Sequence, residues 1–230
     1  MRNMTLHVVE IADAARPMRS TVFDGGRTEA AYARIGKRVL DILLVTMALP
    51  IILPVIALAA VVVSLDGSSP FYTQKRVGRN GEIFRMLKLR TMVPNAEATL
   101  NRVLSEDPAA RHEWNTTQKL KRDPRITRIG SVLRRTSLDE LPQMFNVLFG
   151  HMSLVGPRPI MLEQRAIYPA TAYYDLRPGI TGAWQITDRN DCSFAERAGY
   201  DESYARELSF ATDVRILAAT VGSVLRCTGY

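Results

Sequence analysis

Asp139 and Glu140 are adjacent carboxylates in the run Ser137-Leu138-Asp139-Glu140-Leu141-Pro142-Gln143, with Arg134 and Arg135 just upstream. A carboxylate beside guanidinium groups stays ionised at neutral pH, as a nucleophile or a metal ligand must. Taken alone, the pair also reads as a helix start. Ser137 with Glu140 three residues on fits a capping box, heading a helix that runs through Leu148 to a stop at Gly150. Two further segments carry an arginine on a stiffened backbone. Gly156-Pro157-Arg158-Pro159 flanks Arg158 with prolines, so its guanidinium can be aimed at a phosphate or base with little entropy loss. Arg177-Pro178-Gly179-Ile180-Thr181-Gly182 repeats the theme and precedes Trp184 and Gln185, which suit either base recognition or plain packing.

These groups need a location, and the charge distribution suggests one. The 230 residues carry 30 Lys+Arg against 23 Asp+Glu, a net +7, with 47% hydrophobic content that is ample for a core. Between Lys75 and Arg135 stand 15 Lys/Arg and 6 Asp/Glu, a local +9 that leaves the rest of the chain at −2. This basic stretch points to phosphate-bearing partners, and it follows directly on the only long apolar run, Ile42 to Leu65. A membrane surface is therefore the leading partner. Cys192 and Cys227 form no CxxC pair and no disulfide framework, which fits thiols in a reducing compartment and argues against zinc.

The apolar run is long enough to cross a bilayer, but Pro50 and Pro54 near its middle favour a kink. Basic residues flank both ends, Arg34, Lys37 and Arg38 before it and Lys75, Arg76 and Arg79 after it. Two positive flanks are most simply satisfied by a re-entrant helix that enters one leaflet and returns to the same side. A proline-kinked spanning helix is the alternative. Residues 1–33 have no sustained period and read as a mobile tail, followed by a re-entrant membrane helix over 34–66 and a catalytic domain over 67–230. Within that domain, Asn80-Gly81 between two apolar runs predicts a short basic hairpin with a type I′ turn. Ala96 to Leu104 and Ala109 to Leu120 read as helices. Ile126, Ile129, Val132 and Leu133 fall on one helical stripe beside arginines, a pattern suited to a membrane interface or to a core.

Together these residues resemble the bacterial sugar transferase family of small monotopic phosphoglycosyl transferases. The resemblance rests on Lys37-Arg38-Val39-Leu40-Asp41, Phe84 to Met92, Asp123 to Thr127, Leu133 to Gln143, Asn146 to Pro159 and Arg177 to Gln185, and is greatest for the exopolysaccharide-initiating branch. It implies an α+β, mainly helical fold with a re-entrant membrane helix, interfacial amphipathic helices and a small β-hairpin, on the cytoplasmic face of the bacterial inner membrane. The implied reaction has two steps. Asp139 attacks the sugar-linked phosphate of a UDP-sugar, releasing UMP, and undecaprenyl phosphate then takes the hexose 1-phosphate, of galactose or glucose type, from the aspartate. Glu140 and Asp139 are implied to hold Mg²⁺. Arg134 is the implied phosphate binder and Arg158 a contact to nucleotide or phosphate, with Lys88, Arg90 and Arg177 as further candidates. Membrane lipid is a partner on this reading, nucleic acid is not, and a homo-oligomer is compatible with it. Ala183, Thr187-Asp188-Arg189-Asn190 and Ser69-Pro70 depart from the family pattern, which bears on sugar preference and loop geometry. The rival reading is a non-catalytic membrane-attached protein whose basic segment binds anionic lipid or nucleic acid. It explains the charge and the anchor but has no need of the Asp139-Glu140 pair.

Overall fold

The computed structural model describes residues 30–117, 120–187 and 196–225. Of the residues read as a mobile tail, 1–29 lie outside the described residues, as do the departure at 188–190 and both cysteines, whereas 30–33 are helical because Tyr32 is held by Asp213. The fold is mainly helical with a two-strand hairpin.

The apolar run forms one helix, α1 (Lys37–Ser64), entered through a π-helical turn at Tyr32–Gly36. At about 1.5 Å per residue it is roughly 40 Å long. It continues through Pro50 and Pro54, so whatever bend the missing proline donors allow does not interrupt it. Next come β1 (Phe71–Val77) and β2 (Ile83–Leu89), an antiparallel pair in register from Phe71 opposite Leu89 to Val77 opposite Ile83. Asn80 (φ 57°) and Gly81 (φ 78°) supply the positive φ expected of that pair. The turn is Arg79–Gly81, one residue longer than a two-residue type I′ loop, because the Gly78 N–H donates to the Glu82 carbonyl before the chain reverses.

Two short helices, α2 (Ala96–Glu106) and α3 (Pro108–Thr117), follow, with Asp107 between them accepting from the N–H groups of Ala109 and Ala110. The amphipathic stripe gives α4 (Arg128–Arg135), capped by the Thr127 hydroxyl accepting from Gly130 N. Ile126 is not on it. That residue pairs instead with Met92 in an isolated bridge before the helix starts. Gly130 is required here: a Cβ would stand 2.0 Å from the Thr91 carbonyl oxygen.

The chain then runs through a 3₁₀ turn at Leu138–Glu140 into α5 (Gln143–Leu148), β3 (Ser153–Val155), β4 (Gly179–Thr181), α6 (Ala183–Ile186), α7 (Glu196–Arg206) and α8 (Phe210–Leu225). β3 and β4 pair in parallel, Ser153 opposite Gly179 and Val155 opposite Thr181. Gly156 and Gly179 let these backbones close up, since a Cβ on Gly179 would meet Gly156 N at 2.1 Å. The main core joins Val45 of α1 to Phe84, Met86, Val147, Met152, Val155 and Ile216.

Both ends of α1 rest on this one domain. Near its start, Lys37 Nζ donates to Asp213 Oδ2 at 2.6 Å and to the Tyr204 hydroxyl at 2.9 Å. The hydroxyls of Tyr32 and Tyr204 also donate to the Asp213 carboxylate, each at 2.6 Å. Arg38 donates to the carbonyls of Val147 and Leu148, filling the acceptors left open at the end of α5. Asp41 accepts from Ser153 Oγ at 3.1 Å and Leu154 N at 2.9 Å. Near its end, Val63 is buried against Leu89 and Leu133. The opposite side of the helix leaves Val39, Leu43, Met47, Ile51, Leu58 and Val61 exposed, a continuous apolar stripe along its length.

The Lys37–Asp213 pair is buried on both sides. Lys37→Met leaves a buried carboxylate without its cation and is expected to cost about 3–5 kcal/mol, measured by denaturant unfolding in detergent. A loss below about 1 kcal/mol would show that the pair does not hold the base of α1.

Candidate functional site

Ser137 does not cap a helix. It takes a left-handed conformation (φ 58°), and its side chain caps nothing, so the expected capping box is absent and the helix starts only at Gln143. The reason lies in Glu140. Its carboxylate is turned from Ser137 to Lys88 and Arg158, an exchange of one neutral backbone partner for two cations. The 3₁₀ turn and Pro142 then set Asp139 and Glu140 side by side at the start of α5.

Lys88, near the end of β2, donates from Nζ to Glu140 Oε1 at 2.7 Å and to Asp139 Oδ2 at 3.3 Å. Arg158 Nη2 lies 3.3 Å from the same Glu140 oxygen. Arg134, on the last turn of α4, donates from Nε to Thr91 Oγ1 at 2.9 Å and lies in the field of Asp139. Each cation is held by backbone geometry. Asn146 of α5 clamps β2 by donating to the Arg85 carbonyl at 2.8 Å and accepting from Leu87 N at 2.9 Å. Asp41 of α1 clamps β3, the strand that leads into Pro157-Arg158-Pro159.

Burial pushes the Asp139 carboxyl above its ordinary range, and the neighbouring charge of Glu140 adds to this, while Lys88 and Arg134 pull it back. Asp139 is only 5% exposed, and desolvation outweighs the cations around it. Burial would raise Glu140 too, but Lys88 and Arg158 win there and hold its carboxyl at about 2. The two carboxyls are therefore split. Glu140 is held low by its two cations, and Asp139 is raised by burial.

The profile of the family described as bacterial sugar transferase matches residues 32–227. The chain belongs to the bacterial sugar transferase family. It is 44% identical over 199 residues to the UDP-galactose-lipid carrier transferase of Erwinia amylovora, covering 86% of this chain and 42% of that protein. It is 43% identical over 198 residues to the exopolysaccharide production protein ExoY of Sinorhizobium fredii, covering 85% and 88% respectively. A more distant relative is the UDP-glucose:undecaprenyl-phosphate glucose-1-phosphate transferase of Caulobacter vibrioides, 32% identical over 230 residues and covering 95% and 80%. The chain thus spans less than half the length of the Erwinia protein and most of the length of the other two.

Of the residues read from sequence, this family member brings Lys88, Arg134 and Arg158 to the Asp139-Glu140 pair. Arg90 is engaged elsewhere. Its guanidinium donates to the carbonyls of Val63, Ser69 and Met92 and to Asp66 Oδ1 at 2.6 Å, which closes the end of α1. Arg177 donates to the Gly150 carbonyl at 2.9 Å and sits in the field of Arg79 and Arg38. Trp184 is 3% exposed with Arg197 stacked on its ring at 4.6 Å, so its packing role is realised.

Two contributors were missed. Arg76, taken only as a basic flank, donates to the Pro159 carbonyl at 2.9 Å and to Gln74 Oε1 at 2.6 Å, and lines a narrow cleft with Glu140, Gln143 and Arg158. Burial, reinforced by Arg158, lowers its guanidinium to about 10, which leaves it charged at neutral pH. Gln143, 2% exposed, lines the same cleft. Arg76 alternates with Gln74 on β1, and an arginine two residues from a glutamine on one strand face was the one available signal for it.

Lys88→Met removes the leading cation from both carboxyls, so both titrate at higher pH than in the wild type. Carboxyl ¹³C shifts of Asp- and Glu-labelled protein against pH would check this. An unmoved or lowered Asp139 midpoint would refute the balance of burial and Lys88 described above.

Proposed function

We propose that the chain transfers a hexose 1-phosphate, of galactose or glucose type, from a UDP-sugar to undecaprenyl phosphate, releasing UMP and initiating exopolysaccharide synthesis. The observation that carries this reading is a buried carboxylate, Asp139, set among Lys88 and Arg134 and next to a second carboxylate that Lys88 and Arg158 keep ionised. Attack of one anion on another is repulsive, so a phosphoryl-transfer site must supply fixed positive charge around the phosphorus. Four cations, Arg76, Lys88, Arg134 and Arg158, face two carboxylates, which leaves about +2 for a diphosphate. The names of the relatives, which specify UDP-sugars and undecaprenyl phosphate, support the substrates.

In the first step an Asp139 carboxylate oxygen forms a bond to the sugar-side phosphorus. The bridging P–O bond breaks, and its electron pair leaves with UMP. In the second step the phosphate oxygen of the polyprenol displaces Asp139 at the same phosphorus, giving undecaprenyl-diphospho-sugar and restoring the carboxylate. Neither step needs a proton from the protein. The burial that raises Asp139 also shields an aspartyl phosphate from water.

Asp139 and Glu140 fit Mg²⁺. Lys88 already places one positive charge against oxygens of both, and among the described residues no cluster of three or more His, Cys, Asp or Glu forms. A two-carboxylate set of this kind suits an ion that keeps waters and takes the rest of its ligands from phosphate. The ion, when bound, would neutralise charge on the phosphoryl oxygens.

The anchor fits a monotopic placement. Both ends of α1 lie on one domain while its apolar stripe faces away, so lipid would cover the stripe and leave the domain on one side. That side is the cytoplasmic one, where nucleotide-sugars are made.

Asp139→Asn is expected to reduce UMP release and formation of a sugar-phosphate adduct by about three orders of magnitude or more. A panel of UDP-galactose, UDP-glucose and their N-acetyl forms, labelled in the sugar-side phosphate, measures both and identifies the sugar. An adduct that persists in the variant would remove Asp139 as nucleophile. For topology, Arg34→Cys and Ser69→Cys in a background lacking Cys192 and Cys227 should label from the same face of sealed vesicles. Labelling from opposite faces would make α1 a spanning helix.

A further inference from the structure

Two buried donors in the cleft have nothing to bind within the protein. Among the described residues, Gln143 Nε2 and Arg76 Nε are buried and without a hydrogen-bond partner, although the other two nitrogens of the Arg76 guanidinium are engaged. Both side chains line the cleft that Glu140 and Arg158 also line. Buried donors are almost always paired in folded proteins, so two orphans in one cleft point to an acceptor that arrives from outside.

Their position says which acceptor. Asp139, Lys88, Glu140 and Arg158 follow one another through contacts of 3.3, 2.7 and 3.3 Å. The cleft is lined by the Glu140–Arg158 end of this series and by neither Asp139 nor Lys88. Phosphoryl transfer places the attacking and leaving oxygens roughly in line on opposite sides of the phosphorus. With the sugar-side phosphorus at Asp139, the leaving phosphate lies toward the far end. We infer that Gln143 and Arg76 are leaving-group donors, binding the uridine-side phosphate and stabilising the charge it gains as the bridging P–O bond breaks. This rests on the proposed reaction and assigns one of its half-reactions to a specific end of the site. The bond formed is Asp139 O–P, the bond broken is the bridging P–O, and the electron pair departs on UMP with no proton moved.

The donors therefore speed the first half-reaction alone: in the second the polyprenol phosphate attacks from the same end and loses charge as it does so, and donors there hold the bound phosphate without favouring the transition state. Gln143→Met keeps the side-chain length and removes the donor. It should slow single-turnover UMP release by about tenfold to a thousandfold, the range for loss of one charge-stabilising donor. Gln143→Glu, which sets an anion against the leaving phosphate, should slow it further. At saturating undecaprenyl phosphate, transfer from enzyme preloaded with sugar phosphate and freed of nucleotide should stay within about twofold of wild type for both variants. The thermal midpoint of Gln143→Met should not fall, since an orphan donor has been removed. Arg76→Lys keeps the charge but loses Nε and should show the same selective loss.

Equal slowing of both half-reactions, or a lowered midpoint with both slowed, would make these residues structural and overturn the assignment. Wild-type rates of UMP release in Gln143→Met and Arg76→Lys would overturn it as well. Absence of UMP release from the wild type with every UDP-sugar would overturn the proposed reaction itself, so the two failures are told apart by the wild-type control.

Discussion

Burying two adjacent carboxylates is the constraint around which the molecule is arranged. Neither Asp139 nor Glu140 can sit in a low-dielectric interior as an anion unless cations are delivered to it. The cations come from separate parts of the chain: Lys88 from the hairpin, Arg134 from α4 and Arg158 from the loop after β3. Their stems must be fixed before their charges are useful. Asn146, buried and bonded in both directions to β2, does this for Lys88, and the close approach of Gly156 to Gly179 does it for the Arg158 loop. A flexible lysine would screen the pair as well in energy but would not hold one oxygen of each at a set distance.

The anchor helix is part of the same arrangement. Asp41, in its second turn, accepts two hydrogen bonds from β3, so the strand that carries the Arg158 loop is tied to the helix. Arg90, next along from Lys88 on the same strand run, is tied to the other end through Val63 and Asp66. Membrane attachment and site geometry therefore share their fixed points. A domain docked this way cannot swing freely about α1, and the position of Asp139 relative to the helix is set by packing.

Membership of the family was more legible in the sequence than the geometry, because Asp139, Glu140 and Arg158 stand in short motifs that carry the resemblance. Arg90, a candidate through the family resemblance, is engaged at the end of α1. Nothing local reveals that the carbonyls at the end of α1 will claim its guanidinium. The capping box failed for a related reason: Ser137 and Glu140 have the right spacing, but two cations from distant segments compete for Glu140 and win. Gln143 could not be read as a site residue, and Arg76 only through its alternation with Gln74, since an orphan donor is defined by what fails to surround it.

The split between the two carboxyls follows from position and not from residue type. Glu140 lies between two cations and pays for burial with them, whereas Asp139 shares Lys88 and has Arg134 only through space. The less stabilised carboxylate is the better nucleophile, because its negative charge is worth more when spent on a bond to phosphorus. In the proposed intermediate the negative charge of Asp139 is replaced by that of the phosphoryl oxygens, and the cations that were divided between two carboxylates can follow it there. Discharge to a polyprenol phosphate breaks the Asp139 O–P bond, forms the phosphoanhydride that carries the sugar away in the lipid and returns the charge to the carboxylate.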